Sequence, residues 1–324
     1  MNTKEDYNPL VSVGVLTYNS SKTVLETLES IKAQTYQNIE LIISDDASKD
    51  NTVEICKEWV EKNKDRFVRC EILTVPENTG IPANANRRIA ASQGEWSKGI
   101  AADDTLLPDC IENFINYVKE HPEAEIIFAK ANVYHNNFTS ENFKNIIGNE
   151  SKLFCEKFTK PVEQYNALLN GDCFRFATLF AKLKTLSSIK YDERFKDIED
   201  YPMSLRLTKA GIKIDFLDKV VVNYRIGTSI SSNINDIRTK IRWFLKIESF
   251  KKAYIYPNIS FRKKIIHKLR YFIYKLFERV GLLNKSTDSF TYSLLKFLIL
   301  MTSRNLLTIK TIPKNYKSAS KIKK

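Results

Sequence analysis

The chain has 324 residues, of which 43% are hydrophobic and 27% charged, a composition that excludes a disordered or low-complexity protein and fits a globular fold with a substantial core. Its five scattered cysteines argue against a disulfide framework or a zinc site, and the polar N-terminal segment shows no hydrophobic signal sequence, so we expect a cytoplasmic protein. The formal net charge of +13 is concentrated at one end, because residues 235–324 hold 22 Lys and Arg against 4 Asp and Glu, whereas residues 1–234 hold 29 against 34.

Strands and helices alternate along the first hundred residues. Apolar runs predict strands at 10–19, 39–48, 68–75 and 96–102, and helical spacing predicts helices at 22–33, at 52–63 and after Pro82. This alternation predicts an α/β fold with a parallel sheet and helices on both faces. In such sheets ligands bind beyond the carboxyl ends of the strands.

Polar residues follow three of these strands directly. They are Thr17, Tyr18 and Asn19 after the first strand, Asp45 and Asp46 after the second, and Asp103 and Asp104 after the fourth. Paired aspartates are common at turns and helix starts, where they cap backbone N–H groups. Two pairs at matching strand ends instead favour a ligand site. The chain has no glycine-rich phosphate loop, and carboxylates suit Mg²⁺ or Mn²⁺, which leave coordination positions open for phosphate oxygens.

Three blocks of sequence in this region resemble family 2 glycosyltransferases of the GT-A fold. They are VSVGVLTYNSSKTVLETLESIKAQTYQNIELIISDDASKDNT, ENTGIPANANRRIAASQGEW and AADDTLLPD. The resemblance resumes at YDERFKDIEDYPMSLRLTKAGIKIDFL and VVVNYRIGTSIS, and it covers roughly residues 10–232. It implies a Rossmann-like, mostly parallel sheet flanked by helices. It also implies inverting transfer of a sugar from a nucleotide sugar, most often a UDP-sugar, with Mn²⁺ or Mg²⁺ as cofactor.

The resemblance also implies roles for individual residues on the donor side. Thr17, Tyr18, Asn19 and Asp46 are expected to bind the nucleotide, with Asp46 accepting a hydrogen bond from the base and Asp45 bracing the strand end. Asp103 and Asp104 match the metal motif, with Asp104 contacting the metal and Asp103 shared between the metal and the ribose. Many relatives carry another aspartate at the position of Ala101, so the ligand set differs here.

Further residues match the acceptor side of the family pattern. Asp200 is expected to be the base that takes the proton of the acceptor hydroxyl, with Glu199 orienting it or binding an acceptor hydroxyl. Spacing alone fits equally well a pair of carboxylates at a helix N-terminus, where the helix dipole favours them. Arg225 of the Tyr224-Arg225 pair is a candidate to contact the diphosphate or to close a loop over it. Arg87 and Arg88 are weaker candidates, and a solvated helix face explains them as well.

The basic tail carries an amphipathic pattern. Over 261–283 an apolar stripe is predicted at Phe261, Ile265, Leu269, Phe272, Ile273, Leu276, Val280 and Leu283, with Lys and Arg around it. Such a helix lies on anionic membrane surfaces or packs on its own protein, and both interpretations stay open. The apolar segment 290–301 is too short to span a bilayer. No recognised nucleic-acid-binding module is present, so we expect no nucleic-acid partner.

These observations predict a GT-A catalytic domain over 1–232, with a nucleotide-sugar half at 10–107 and an acceptor half at 108–232, followed by a membrane-associating tail at 233–324. The expected activity is metal-dependent transfer of a sugar to a hydroxyl of a glycan or lipid-linked oligosaccharide. That reaction would serve the synthesis of a surface polysaccharide such as capsule or O antigen, on the inner face of the cell membrane. The alternative is a membrane-bound protein that binds nucleotide sugars, or acts like a nucleotidyltransferase, without glycosyl transfer.

Overall fold

The computed structural model describes residues 7–171, 174–196, 198–227 and 237–279. Within these residues one sheet contains nine strands: β1 (Val11–Thr17), β2 (Ile39–Asp45), β3 (Arg69–Leu73), β4 (Trp96–Ala101), β5 (Thr105–Leu106), β6 (Ile126–His135), β7 (Phe143–Ile147), β8 (Phe180–Lys182) and β9 (Ile214–Ile226). The strand order is β3-β2-β1-β4-β8-β6-β9-β5, with β7 paired to β6.

The helices of the same residues alternate with these strands in the first half and cluster in the second. They are α1 (Val24–Lys32), α2 (Thr52–Asn63), α3 (Ile81–Ala91), α4 (Cys110–Glu120), α5 (Asn149–Lys157), α6 (Pro161–Leu168), α7 (Leu183–Ile189), α8 (Asp200–Lys209), α9 (Ile237–Lys246), α10 (Glu248–Phe250) and α11 (Phe261–Arg279). Short 3₁₀ turns lie at Lys64–Arg66, Ser140–Asn142, Phe176–Thr178 and Tyr256–Asn258, and α10 continues as a π-helix over Lys251–Ile255.

The first four strands form the predicted parallel unit. β1 pairs in parallel with β2 and with β4, and β2 pairs in parallel with β3. The remainder of the sheet is mixed, because β8 runs antiparallel to both β4 and β6 while β9 runs parallel to β6. The fold is therefore α/β with a mostly parallel sheet flanked by helices, as the sequence predicted.

Both faces of the sheet are covered. Along β6, Ile127 and Ala129 pack into one apolar cluster with the β-branched residues of β1, while Ile126 and Phe128 pack into a second cluster with α8. Successive residues of a strand point to opposite faces, so this alternation requires a core on each side. None of the helices in the described residues has the length and apolarity that crossing a membrane would need.

Candidate active site

The carboxyl ends of three neighbouring strands lie level at one edge of the sheet. In the parallel register Thr17 of β1 is opposite Asp45 of β2, and Leu16 is opposite Ala101 of β4. The polar residues that follow these strands therefore lie along one rim, as the alternation of strands and helices predicted. The roles assigned to them stay predictions.

The Thr17 end of this rim is braced from inside. Thr17 is buried, and its hydroxyl donates to Asp45 Oδ2 at 2.7 Å, while the N–H of Ser48 donates to Asp45 Oδ1 at 2.8 Å. Asn19 has a φ of 52°, which turns the chain sharply, and its N–H donates to Ser48 Oγ at 2.8 Å. The ring of Tyr18 remains half exposed, so it offers the rim an aromatic surface.

The carboxylate of Asp46 anchors a turn that joins β3 to α3. It accepts hydrogen bonds from the N–H groups of Thr79 (3.0 Å) and Gly80 (2.8 Å) and from the Thr79 hydroxyl (2.5 Å). Burial raises the pKa of Asp46, but the bonds from Thr79, Gly80 and Arg87 outweigh it and hold the pKa below its usual value. Asp46 is therefore an ionised hydrogen-bond acceptor whose oxygens are already bonded to this turn.

The two arginines of α3 have different surroundings. Arg87 lies at the rim, where its Nη2 is 2.8 Å from Thr79 Oγ1 and 3.4 Å from Asp46 Oδ1. Arg88 is 3% exposed, and a methyl group at Gly14 would lie 1.9 Å from its Cδ. Its Nη1 donates to Ser97 Oγ at 2.7 Å. The expectation that Arg88 reaches a phosphate or a solvated helix face was therefore wrong, since a glycine in β1 makes room for it inside the protein.

Asp103 and Asp104, which we call the acidic corner, form the other end of the rim. Asp104 is 2% exposed, and its Oδ1 accepts the N–H of Arg225 at 2.8 Å. Burial, and after it the charge of Asp103, raise the pKa of Asp104 well above its ordinary value, and burial also raises the pKa of Asp103. The charge of the fully buried Lys98 lowers the pKa of Asp104, but by less than burial and Asp103 raise it. The negative charge of the acidic corner is therefore only partly compensated.

These donors fit a hard divalent cation. Two neighbouring carboxylates offer oxygen ligands, and their raised pKa values indicate that a positive charge would stabilise them. The described residues contain no cluster of three or more His, Cys, Asp or Glu that could hold a metal. A site made by the acidic corner would therefore leave most coordination positions to the oxygens of a bound ligand and to water.

Arg225 of β9 braces the acidic corner. It is 4% exposed, and its guanidinium lies over the ring of Phe138 at 4.2 Å. Its Nε donates to the carbonyl of Asp103 at 2.7 Å, and its two terminal nitrogens bond to the carbonyl of Asn136 and to the carboxylate of Glu26. Direct contact of Arg225 with a diphosphate stays a prediction. The geometry gives it partners on α1, β4 and the end of β6.

Replacing Arg225 by methionine is expected to lower the free energy of unfolding by about 2–4 kcal/mol, because the carbonyls of Asp103 and Asn136 lose their donor. Glu26→Gln serves as the matched control. Its side chain is 54% exposed, so we expect a loss of less than about 1 kcal/mol. Urea unfolding at 25 °C measures the stability of both variants. Equal stabilities of Arg225→Met and the wild type would show that the Arg225 side chain does not stabilise the acidic corner.

Asp200 and Glu199 lie at the N-terminus of α8, with Asp200 as the first helical residue and both side chains partly exposed. Tyr224, the neighbour of Arg225, interacts electrostatically with Asp200 and with the acidic corner. Burial raises the pKa of Tyr224 to about 12, and the charges of Asp104, Asp200 and Asp103 contribute to the rise. The structure therefore brings the predicted base and the predicted metal ligands within electrostatic range of one tyrosine.

Five residues near the site were not predicted from the sequence, namely Glu26, Thr79, Gly80, Lys98 and Phe138. Glu26 is an unremarkable charge in the first turn of a helix, and Lys98 an isolated lysine in a strand. Only the contacts of Arg225, Asp46 and Asp104 reveal these residues. No local sequence signal marks them.

Comparisons with known proteins agree with this geometry. The profile of Glycosyl transferase family 2 matches residues 12–184. An uncharacterised glycosyltransferase of Methanocaldococcus jannaschii is 27% identical over 270 residues, which are 82% of this chain and 88% of that protein. The UDP-Glc:alpha-D-GlcNAc-diphosphoundecaprenol beta-1,3-glucosyltransferase WfaP of Escherichia coli is 28% identical over 228 residues, or 69% of this chain and 80% of that protein.

A solved structure shares the fold. The crystal structure of S. aureus TarS 1–349 in complex with UDP-GlcNAc superposes with a TM-score of 0.53 at 17% identity, covering 90% of this chain and 88% of that one. At this identity the likeness supports the architecture alone.

Proposed function

The chain belongs to glycosyl transferase family 2, and from that premise we propose that it transfers a sugar, with inversion, from a UDP-linked donor to a hydroxyl of a glycan or lipid-linked oligosaccharide. The observation that carries the proposal is the acidic corner at the carboxyl edge of the sheet, where Asp104 is buried and accepts the N–H of Arg225, and Arg225 also donates to the carbonyl of Asp103. One relative has a name that specifies a UDP-glucose donor and a diphosphoundecaprenol-linked acceptor, which supports the donor and the acceptor class. Another is named as a minor teichoic acid biosynthesis protein, which supports a place in surface-polysaccharide synthesis.

The donor would lie along the rim. The nucleoside would lie at Tyr18 and Asp46, with Thr17 and Asn19 shaping the strand end beneath it and Asp103 turned to the ribose. The diphosphate would then extend toward the acidic corner. Arg225, which braces this corner, keeps Asp103 and Asp104 in place for a ligand that carries negative charge.

The acidic corner would hold Mn²⁺ or Mg²⁺, with Asp104 as a direct ligand and Asp103 beside it. When bound, such an ion stabilises the negative charge that develops on the departing diphosphate. Because Asp104 and Asp103 have raised pKa values, protons compete with the ion for these carboxylates, and their deprotonated forms are the binding forms.

Transfer with inversion is a single displacement. Asp200 takes the proton of the acceptor hydroxyl, whose oxygen forms the bond to the anomeric carbon. The bond between that carbon and the diphosphate oxygen breaks, and the nucleoside diphosphate leaves with the electron pair. Glu199, next in the chain, would orient Asp200 or bind an acceptor hydroxyl.

A thermal-shift screen tests the donor proposal. We expect UDP-glucose or UDP-N-acetylglucosamine with Mn²⁺ to raise the melting temperature by several degrees, because a ligand at 100 times its dissociation constant stabilises the native state by about 2.7 kcal/mol. GDP-mannose with Mn²⁺ and each UDP-sugar with EDTA are the controls. Absence of any shift with nucleotide sugars would contradict the proposal. A shift without release of nucleoside diphosphate, when lipid-linked acceptors are supplied, would favour a binding protein that performs no transfer.

A further inference from the structure

Helix α11 has one apolar face that packs on the protein. His267, Tyr274 and Phe277 are buried on this face. The ring of Tyr274 lies 5.0 Å from that of Phe244 in α9, and the ring of His267 lies 5.6 Å from that of Tyr256. Ile273, one member of the single apolar stripe predicted from the sequence, packs against this inner cluster. The predicted members Val280 and Leu283 lie outside the described residues.

The same helix carries a second apolar face that nothing in the described residues covers. The exposed fractions on this outer stripe are 77% for Phe261, 48% for Ile265, 54% for Leu269, 66% for Phe272 and 48% for Leu276. Their spacings of four, four, three and four residues put them on one side of the helix. A helix of a globular protein normally presents polar residues outward, and a contiguous exposed apolar stripe marks an interaction surface.

The charges beside the outer stripe determine what kind of surface it fits. Helix α11 contains 7 Lys and Arg against a single Glu, and Arg262, Lys268, Lys275 and Arg279 are exposed near the stripe. A second copy of α11 would bring the same positive charges. The segment 280–324 of this chain would bring 9 more Lys and Arg against one Asp. Both would be repelled, whereas an anionic partner would be attracted.

Apolar side chains distinguish between anionic partners. A nucleic acid offers phosphates to the lysines but no hydrocarbon layer for Phe261, Leu269 and Phe272. An anionic bilayer offers both, since a basic amphipathic helix lies in its interface with the apolar face buried about 5–10 Å deep.

We infer that α11 binds two partners at once, with its inner face on α9 and the neighbouring Tyr256 and its outer stripe in the interface of an anionic lipid membrane. Packing on the protein and membrane contact are therefore not alternatives for this helix, because they use different faces. The inner contacts already hold α11 on the protein as a helix. Membrane binding therefore carries no entropic cost for ordering this segment.

Co-sedimentation of the full chain with vesicles tests this inference. We expect binding to vesicles of phosphatidylcholine with roughly 30% phosphatidylglycerol, and weak or no binding to vesicles of phosphatidylcholine alone. Leu269→Ser with Phe272→Ser is expected to weaken binding at least about tenfold, since two apolar anchors are lost. Lys268→Gln with Lys275→Gln is expected to weaken it by roughly fivefold per charge at low salt.

The matched control is Leu153→Ser with Val162→Ser, which removes two side chains that are 63% and 59% exposed elsewhere on the protein. This variant is expected to bind like the wild type, and circular dichroism with thermal melts verifies that all variants are folded. Wild-type binding by the Leu269→Ser, Phe272→Ser variant overturns the inference. Failure of the wild-type chain to bind anionic vesicles also overturns it. In that case, a dimer in light scattering that the variant loses would assign the stripe to a second copy, and cross-links from segment 280–324 to the stripe would assign it to that segment. Donor binding is measured separately, so failure here leaves the proposed reaction untouched.

Discussion

Replacing Asp200 by asparagine is expected to abolish sugar transfer while leaving donor binding intact. Removal of a general base costs about 10²–10⁴-fold in rate, and an amide cannot accept the proton of the acceptor hydroxyl. Asparagine keeps the size of the side chain and the start of α8. Turnover measured as release of nucleoside diphosphate, together with thermal shifts by the donor, separates the two effects.

Two further variants sharpen this test. Glu199→Gln should lower turnover less than Asp200→Asn. Glu199 is proposed to orient Asp200 or to bind an acceptor hydroxyl, whereas Asp200 is the proposed base. Glu193→Gln, an exposed carboxylate that accepts from Asn86, should behave like the wild type. Turnover of Asp200→Asn at the wild-type rate would remove Asp200 as the base, and loss of donor binding in parallel with turnover would assign it a structural role.

The variant Asp104→Asn is expected to gain stability without ligand and to lose the stabilisation by donor and metal. Its amide oxygen can still accept the N–H of Arg225, but the buried charge is gone. We expect a gain of about 1–2 kcal/mol in metal-free protein at pH 8, which for a chain of this length is a rise of about 1–3 °C in melting temperature. The shift produced in the wild type by a UDP-sugar with Mn²⁺ should vanish, since the direct metal ligand is missing.

The gain should depend on pH in a defined direction. Because the pKa of Asp104 is raised in the folded protein, its contribution to stability is complete below the ordinary pKa of an aspartate and is lost as the pH rises through the raised value. The asparagine variant has no such loss. The difference in melting temperature between it and the metal-free wild type should therefore grow from pH 4 to pH 8. Thermal melts in EDTA across this range measure it.

The matched control for Asp104→Asn is Asp45→Asn at the neighbouring strand end. The carboxylate of Asp45 accepts bonds from Thr17 and from Ser48, so its loss should destabilise the protein. An Asp104→Asn variant that is less stable than the wild type in EDTA, or that keeps a full metal-dependent shift, would contradict the role proposed for the acidic corner.

Sequence periodicity was sufficient to predict the strands and helices in the first half of the fold. Runs of β-branched residues and helical spacing predicted β1 to β4 and α1 to α3 to within a few residues of their observed ends. The pattern is clearest in β1 and β2, because nearly all of their residues are buried. The antiparallel placement of β8 between β4 and β6 was not predictable, since β8 is three residues long and pairs with residues 55 and 86 positions away. A strand so short has no pattern of its own.

The sequence by itself determined which residue types stand at the strand ends, and hence that carboxylates and an aromatic ring share one rim. It also determined that α11 is amphipathic and basic. Only the tertiary structure decided how those groups are paired, with Arg88 buried over Gly14, Asp46 tied to Thr79 and Gly80, and Arg225 held between Asp103 and Glu26. It likewise decided which apolar face of α11 packs on the protein. The reason is that burial and hydrogen bonding depend on partners distant in the chain, and local spacing carries no information about them.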